Sequence, residues 1–272
     1  RTPKISPSPL ILLPPSEGKS SGGDGAPLDM DSLSFESLNP TRERVVKALI
    51  SVSERPRSSK ALLGVKGPAL EKARAENAAL RTTPTLPAIE RYTGVMYDAI
   101  EHRTLDAGAR EVFGQSVIIM SGLFGMVRPF DMIPAYKLKM GGKVMRGKSC
   151  AVIWKKLLTK SLADSVQGGV VWDLLPNEHS AAWDPSAITY EKRFTVKFVE
   201  RNVDGQLKTV NHWSKLLKGA LIRHLVSNEE AAGSAESALD LVRGFSHPEG
   251  YEYNSELTTT SDDVTDLVFL KS

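Results

Sequence analysis

The stretch at residues 9–23, PLILLPPSEGKSSGG, joins a short apolar run to a polar loop that is rich in glycine. An apolar run bounded by prolines predicts a β-strand. The Gly-Lys-Ser that follows also occurs in nucleotide-binding P-loops, but that pattern requires a glycine where Leu13 stands. It also requires a helix that begins at the lysine, and the continuation SSGGDGAPLD contains too much Gly, Asp and Pro to form one. We therefore predict a strand and an irregular loop, not a P-loop.

Outward from this strand, the chain alternates between predicted strands and predicted helices. The runs SVIIM (116–120), GGVVWDLL (168–175) and DLVFL (266–270) predict strands, and residues 193–213 predict a hairpin around Asp204-Gly205. A helix is predicted to begin at Asn39, the expected N-cap residue before Pro40. Further helices are predicted over 68–81, 86–100, 151–165 and 213–226, and residues 228–240 should form a polar loop and a short helix.

Length and composition describe an ordinary globular chain. Its 272 residues can bury a large core, and 41% of them are hydrophobic and 25% charged. No linker-like segment or internal repeat divides the sequence. We therefore predict a single compact domain over residues 1–272, of the α+β class, with a mixed β-sheet and surrounding helices.

The distribution of charge is more informative than the net charge of +3. Between Arg128 and Lys160 there are nine Lys or Arg residues and one acidic residue, Asp131. Residues 228–266 contain ten acidic residues and one basic residue, Arg243. This asymmetry predicts a basic surface and a separate acidic one, although two solvated faces without partners explain it equally well.

Several classes of site are not expected. Cys150 is the only cysteine, so intrachain disulfides and cysteine-rich metal sites are excluded. The five histidines lack the spacing of a metal site, and we predict neither a metal nor a cofactor. We find no run of 18 apolar residues and no cleavable signal pattern, so no membrane partner is expected and the cytoplasm is the expected location.

The segment SGLFGMVRPFDMIPAYKLKMGGKVMRGK, residues 121–148, combines a tight turn with basic residues. The hydrophobic-Gly-hydrophobic sequence Phe124-Gly125-Met126 is typical of a helix-hairpin-helix motif, in which backbone amides contact a DNA phosphate. Any tight buried turn can contain the same sequence. Five downstream cations could neutralise phosphates: Lys137, Lys139, Lys143, Arg146 and Lys148.

Several ordered motifs together resemble the peroxide stress resistance protein YaaA family. They are LLPPSEGK, RYTGVMYDAI, SGLFGMVRPFDMIPAYKLKMG, RGK (146–148), Trp154, DLLPNE, SKLLKG, GFSHPEGY and DLVF. The resemblance implies a compact α+β fold with a helix-hairpin-helix-like element beside a basic cleft. It also implies DNA binding without marked sequence preference, and protection during hydrogen peroxide stress by limiting unincorporated iron.

The resemblance also implies which positions matter. They are Ser16 and Lys19 in the first loop, Gly122 to Arg128 at the turn, Asp131, Tyr136, Lys137, Glu178, Lys215 and Lys218. We expect Lys19 to face phosphate at one wall of the cleft. Phe124 and Tyr136 could stack on an unpaired base, or could belong to the core. Lys215 and Lys218 lie opposite an apolar stripe, so we expect both to be exposed, as part of the basic surface or simply solvated.

Two other functions fit the same residues. In the first, an enzyme or sensor binds a small anionic ligand, phosphorylated or nucleobase-like, in a polar site lined by Lys19, Arg128, Asp131 and Glu178. Glu178 or Asp131 would then be the general base, and Lys19 with Arg128 would hold the anion. In the second, Asp173, Glu178 and His179 would sequester iron, although they lack clear ligand spacing.

Overall fold

The computed structural model describes residues 8–271 except the side chains of residues 211 and 212, so residues 1–7 and 272 of the predicted domain lie outside it. The strands are β1 (Leu10–Leu13), β2 (Gly25–Pro27), β3 (Pro84–Pro87), β4 (Val117–Ser121), β5 (Gly125–Val127), β6 (Met132–Ile133), β7 (Val170–Asp173), β8 (Lys192–Arg201), β9 (Leu207–Thr209), β10 (Tyr251–Tyr253), β11 (Thr259–Ser261) and β12 (Val264–Lys271). The α-helices are α1 (Asn39–Ser53), α2 (Pro56–Leu63), α3 (Gly67–Ala78), α4 (Ala88–Arg91), α5 (Val95–Ile100), α6 (Ala107–Ser116), α7 (Cys150–Val166), α8 (Asn177–Ser180), α9 (Asn211–Val226), α10 (Glu229–Ala232) and α11 (Ala235–Arg243). Short 3-10 helices cover Met30–Ser32, Glu36–Leu38, His102–Thr104 and Pro185–Ala187.

A mixed nine-stranded sheet forms the centre of the fold. Its main path runs β10-β12-β8-β7-β1-β4-β5, with β9 beside β8 and β11 beside β12. Five adjacent strands run parallel to one another, in the order β4, β1, β7, β8 and β12. The remaining pairings in this sheet are antiparallel. From β1 the chain continues toward β4 on one side, whereas from β7 it continues toward β8 on the other. The loops that leave the carboxyl ends of β1 and β7 therefore diverge, which is where open parallel sheets form a ligand crevice.

The strand β1 is buried along its whole length. Leu10 is 5% exposed, and the next three side chains are fully buried. Such a continuous apolar run is typical of a central parallel strand covered on both faces. Each fully buried side chain of this kind contributes about 1.5–3 kcal/mol. One hydrophobic cluster extends from β1 to Phe269 in β12, which confirms the predicted compact α+β fold with a mixed sheet.

A second, three-stranded antiparallel sheet has the order β2-β3-β6. Arg91 ties it to the loop after β1, because its guanidinium donates to the carbonyls of Ser20, Pro84 and Ile133. The backbone of that loop also pairs with residues 91–93, through a bridge between Lys19 and Tyr92. These contacts fix the position of the loop that carries Lys19.

The predicted strands are confirmed, as are the hairpin, formed by β8 and β9, and the helices α3, α7 and α9. The first α-helix after Gly-Lys-Ser begins at Asn39, which confirms that the loop is not a P-loop. Within residues 8–271, no helix is both long and apolar enough to cross a membrane.

Three predicted elements differ in detail. Asn39 is not the N-cap of α1, since Leu38 occupies that position and the Asn39 amide donates to the carbonyl of Met30 instead. Residues 86–100 do not form one helix; β3, α4 and α5 divide them, and Gly94, with a φ of 113°, interrupts the helical path. Residues 228–240 lie in two short helices, α10 and α11, where one was expected.

The helix-hairpin-helix predicted at Phe124-Gly125-Met126 is wrong. These residues lie in the turn and second strand of an antiparallel pair formed by β4 and β5, with Ser121 opposite Gly125. Gly125 has a φ of 76°, which a left-handed turn position requires. Every residue from 121 to 127 is buried. The run is therefore part of the sheet and the core, because it is covered on both sides.

Candidate functional site

A pocket opens where the loops after β1 and β7 diverge. It is lined by residues of the β1 loop, by the segment 136–140 and by two residues of α8: Pro15, Ser16, Glu17, Lys19, Tyr136, Lys137, Leu138, Lys139, Met140, Glu178 and His179. The space between these residues is about 390 Å³ when the open solvent at its mouth is included. Only a small part of it is enclosed, so a bound molecule would extend through the mouth. The sheet topology thus gathers residues from three distant parts of the sequence.

Lys19 is placed between aromatic rings. Its Nζ lies 4.3 Å from the centroid of the Tyr136 ring and 5.3 Å from that of Tyr92. It donates one hydrogen bond of 3.0 Å to the carbonyl of Ser16. Ring faces attract an ammonium group, but they cannot replace the hydration that it loses on burial.

The pKa of Lys19 is lowered to about 7, mainly by burial and also by the positive charges of Lys137 and Arg91. The negative charges of Glu76 and Glu17 raise the pKa of Lys19, but neither carboxylate forms an ion pair with it. A lysine with a pKa near 7 is largely neutral in slightly alkaline solution. Its amine can then act as a nucleophile or a base.

A chain of hydroxyl groups extends from Tyr136, which lines the pocket, to Tyr92 and Ser121. The Tyr92 and Tyr136 hydroxyls hydrogen-bond at 2.7 Å, and the Tyr136 hydroxyl reaches Oγ of Ser121 at 2.8 Å. Ser121 in turn accepts the backbone N–H of Phe124 at 3.0 Å. Burial raises the pKa of Tyr136 to about 12, so the phenol stays protonated at neutral pH. Lys19 therefore faces neutral phenol rings here and no negative charge.

Glu17 bridges two lysines at the mouth of the pocket. Its carboxylate lies 2.7 Å from Nζ of Lys139 and 3.3 Å from Nζ of Lys137. The hydrogen bond from Lys139 is the largest cause of a lowered Glu17 pKa. Because the Glu17 side chain is 66% exposed, these are surface ion pairs of modest strength.

Glu178 and His179 form the opposite wall. Oε1 of Glu178 accepts the backbone N–H of Gly141 at 2.9 Å, which fixes the carboxylate. His179 is buried, and its Nδ1 has no hydrogen-bond partner within residues 8–271. Burial also lowers the pKa of His179, so the imidazole is neutral at pH 7 and can exchange a proton.

Arg128 and Asp131 do not belong to this pocket, so the predicted site shared by Lys19, Arg128, Asp131 and Glu178 is wrong. The Asp131 carboxylate accepts the N–H and hydroxyl of Ser34 and the N–H of Arg128, and so anchors a turn. The Arg128 guanidinium lies 5.2 Å from the centroid of the Phe35 ring and donates to a carbonyl in α6. Both are structural, and neither serves as a base or an anion clamp beside Lys19.

The buried turn cannot contact DNA. Phe124 is fully buried and packs edge-on against Tyr136, at 5.6 Å between centroids. The Gly122 carbonyl accepts Nε1–H of Trp154, and Gly125 is enclosed by the same indole. The expected phosphate contacts at Gly122 and Gly125 and base stacking on Phe124 are therefore wrong. Tyr136 is also a core residue, although its ring lines the pocket beneath Lys19.

The predicted basic residues fall into two groups. Five are exposed: Lys139, Lys143, Arg146, Lys148 and Lys215. Lys218 is instead half-buried and donates to the carbonyl of Leu174 at 2.9 Å, so it is a structural residue and not part of an exposed surface. Its ammonium donates to a carbonyl at the start of the loop after β7, which the helical periodicity of α9 could not reveal.

The carboxylates proposed for iron are engaged elsewhere. Asp173 is buried and accepts two hydrogen bonds, of 3.0 and 2.7 Å, from Arg193. No group of three or more His, Cys, Asp or Glu side chains within the described part of the chain could hold a metal ion. The structure therefore gives no support to iron binding by Asp173, Glu178 and His179.

One pocket residue, Glu17, and one ring neighbour of Lys19, Tyr92, were missed as site residues in the sequence. Tyr92 stands in the motif RYTG and Glu17 in PPSEG, both of which were noted, but no spacing links either residue to Lys19. Their proximity follows from the pairing of the β1 loop with residues 91–93. No local signal predicts such a pairing.

Comparison with known proteins confirms the resemblance. The family described as peroxide stress protein YaaA matches residues 10–257. A UPF0246 protein of Streptomyces coelicolor is 34% identical over 248 residues, covering 91% of this chain and 92% of its own. A UPF0246 protein of Corynebacterium efficiens is 36% identical over 243 residues, covering 86% and 92%. An uncharacterized protein of Campylobacter jejuni is 27% identical over 222 residues, covering 80% and 85%. The chain belongs to the peroxide stress protein YaaA family.

Proposed function

We propose that this protein acts in the cytoplasm in the defence against hydrogen peroxide, and that it binds DNA through an exposed basic segment without marked sequence preference. The role in peroxide stress rests on family membership. The DNA partner rests on one observation: Lys139, Lys143, Arg146 and Lys148 are exposed along a stretch with no acidic residue at positions 132–163.

The side chains of this segment suit phosphate contacts. Lys139 pairs with Glu17, but no ion pair within residues 8–271 engages Lys143, Arg146 or Lys148. Lysine and arginine contacts to phosphates supply affinity and salt dependence, but no sequence preference. Since the turn at 122–125 is buried, binding must use these side chains rather than backbone amides.

Fluorescence anisotropy with duplex, single-stranded and junction DNA across a salt series tests this function. The triple variant Lys143→Gln, Arg146→Gln and Lys148→Gln should bind more weakly and reduce the slope of log K against log salt by about 2–3. A control with the same loss of charge changes exposed lysines outside the segment: Lys66→Gln, Lys197→Gln and Lys208→Gln. Equal losses in both variants, or no binding of the unaltered protein at low salt, would contradict the proposal.

A second function is favoured by the environment of Lys19. A lysine with a lowered pKa at the closed end of a pocket, with two lysines at its mouth, suits a small anionic ligand. This site could operate as an enzyme or a sensor. Thermal-shift and calorimetric screens of nucleotides and sugar phosphates test it, because a ligand of this pocket should lose affinity when Lys137→Gln and Lys139→Gln are combined. An unchanged affinity would place the ligand elsewhere.

A further inference from the structure

We propose that the Lys19 amine forms a covalent imine with the aldehyde or ketone of a small phosphorylated compound, such as a sugar phosphate. This inference rests on the second function proposed above, since it uses the same pocket. It goes further by naming the reacting atom and the class of substrate. Lys19 is placed for this chemistry because its Nζ lies between two tyrosine rings and its hydrogen bond goes to a neutral carbonyl.

Imine formation requires a neutral amine beside a space that can hold a carbonyl carbon. Ordinary lysines are almost entirely protonated at pH 7, and their ammonium groups pair with carboxylates or water. The walls around Lys19 are aromatic and hydroxylic, and the nearest carboxylate on the same loop, Glu17, is engaged by Lys137 and Lys139. The lowered pKa of Lys19 agrees with this arrangement.

The reaction is balanced without an oxidant or a further reactant. The Nζ lone pair adds to the carbonyl carbon, and a proton moves from nitrogen to oxygen to give a carbinolamine. Protonation of that hydroxyl lets it leave as one water molecule while the C=N bond forms. His179 lines the same pocket and has an unpaired Nδ1 within the described residues, so it can carry this proton.

The phosphate would bind at the mouth. Lys137 and Lys139 now share the two oxygens of the Glu17 carboxylate, and a phosphate presents a similar pair of oxygens with more charge. Glu17 is exposed, so its carboxylate can turn into solvent at little cost when a phosphate replaces it. A carbonyl compound with a phosphate at its other end would thus span from the mouth to Lys19.

Reductive trapping of the full chain tests the proposal. The protein is incubated with glyceraldehyde 3-phosphate and sodium cyanoborohydride, and the modified peptides are mapped by mass spectrometry. We expect Lys19 to be modified at least about tenfold faster than the exposed Lys215, because a pKa near 7 gives on the order of 10³ times more free amine at neutral pH. The rate should fall in the variant Lys137→Gln with Lys139→Gln, and when glyceraldehyde replaces its phosphate.

Modification of Lys19 should also rise as the pH passes through about 7. The groups that face Lys19 are Lys137, Arg91, Glu17, Glu76, Tyr92 and Tyr136. Trapping spread evenly over surface lysines, or undiminished trapping of the same peptide in Lys19→Arg, would overturn the imine. The variant Lys19→Met gives a second check, should the arginine not fit between the rings.

Glycerol 3-phosphate, which has no carbonyl, separates the two proposals. If calorimetry shows that it binds while no aldehyde is trapped on Lys19, the imine is overturned and the anion site stands. If it does not bind and nothing is trapped, both fail. Binding of glycerol 3-phosphate together with selective trapping on Lys19 supports both.

Discussion

Arg42 and Lys19 are both cationic side chains held away from bulk water, Arg42 fully and Lys19 partly, and they differ in how completely hydrogen bonds satisfy them. Arg42 is fully buried, and its guanidinium donates to the carbonyls of Phe124, Met126 and Ser34 and to Oδ1 of Asn39. Lys19 makes one hydrogen bond, to a carbonyl three residues away. A cation that is fully satisfied holds a structure together, whereas one left partly unsatisfied is available to a ligand.

The difference also explains where charge is tolerated. Arg42 closes the turn between β4 and β5, where carbonyl oxygens would otherwise be buried without donors. Lys19 meets ring faces that supply no acceptor atom for its remaining N–H groups. The partial burial of Lys19 therefore destabilises the fold, whereas the hydrogen bonds of Arg42 stabilise it. The following substitutions test that contrast.

The largest effect should come from Arg42→Met. The substitution removes the donors to at least three carbonyls, and each unsatisfied buried carbonyl costs about 1–3 kcal/mol. We expect a loss of about 3–5 kcal/mol in the free energy of unfolding. Urea denaturation followed by circular dichroism measures it. The control Arg44→Met, on the same helix, affects an exposed side chain and should cost under about 1 kcal/mol. Similar losses in the two variants would remove the contrast.

Lys19→Met should change the free energy of unfolding in the opposite direction to Arg42→Met. Methionine is similar in length and carries no charge to desolvate, so the variant should be as stable as the unaltered protein at pH 6, or more stable. The folded pKa of Lys19 is near 7 and the unfolded value near 10.5, so the unfolded chain binds the extra proton between them. The free energy of unfolding of the unaltered protein therefore rises with pH between about 7 and about 10.5. This gain is gone once the pH has fallen through 7.

The advantage of Lys19→Met should accordingly shrink between pH 6 and pH 9, which denaturant titrations at the two pH values measure. Lys215→Met, at an exposed site, serves as the control and should show no such change in stability difference. If Lys19→Met were strongly destabilising at both pH values, Lys19 would be a structural cation like Arg42.

The smallest effect should follow Glu17→Gln. The change frees Lys137 and Lys139 from a surface pair, which contributes about 0–1 kcal/mol. Stability should hardly change, while affinity for a phosphorylated ligand should rise about 2- to 5-fold. Calorimetry with glycerol 3-phosphate measures this, and Glu71→Gln provides the comparison, since Glu71 is exposed and pairs with Arg74 instead. Weaker binding in Glu17→Gln would show that Glu17 orients the lysines rather than competing with the ligand.

Much of the fold could be predicted from local patterns. Continuous apolar runs such as LILL and VVWD predict buried strands, and the helical stripe of α9 predicts its length within two residues. The error at Phe124-Gly125-Met126 has a definite cause, since a short apolar run with a glycine fits a buried strand and a turn between helices equally well. Burial on both sides of β5 decides between them.

The candidate site was predicted less completely. Of the four residues predicted to share a polar site, Lys19 and Glu178 line one pocket, together with Ser16 and Lys137 from the predicted phosphate-binding residues. Arg128 and Asp131 were grouped with Lys19 and Glu178 by residue type, but their segment passes through β6 and turns away between 128 and 136. Closeness in sequence is a weak guide to which side chains share a site.

By itself, the sequence determined the central strand, the irregular loop that follows it and the concentration of positive charge in the segment after β5. Each depends on the polarity or backbone preference of neighbouring residues, which are local properties. Only the tertiary structure decided that Lys19 meets Tyr92 and Tyr136 and that its charge is unfavourable there. The reason is physical: desolvation and Coulomb interaction depend on distances in space, and residues 19, 92 and 136 are brought together only when the sheet and its loops pack.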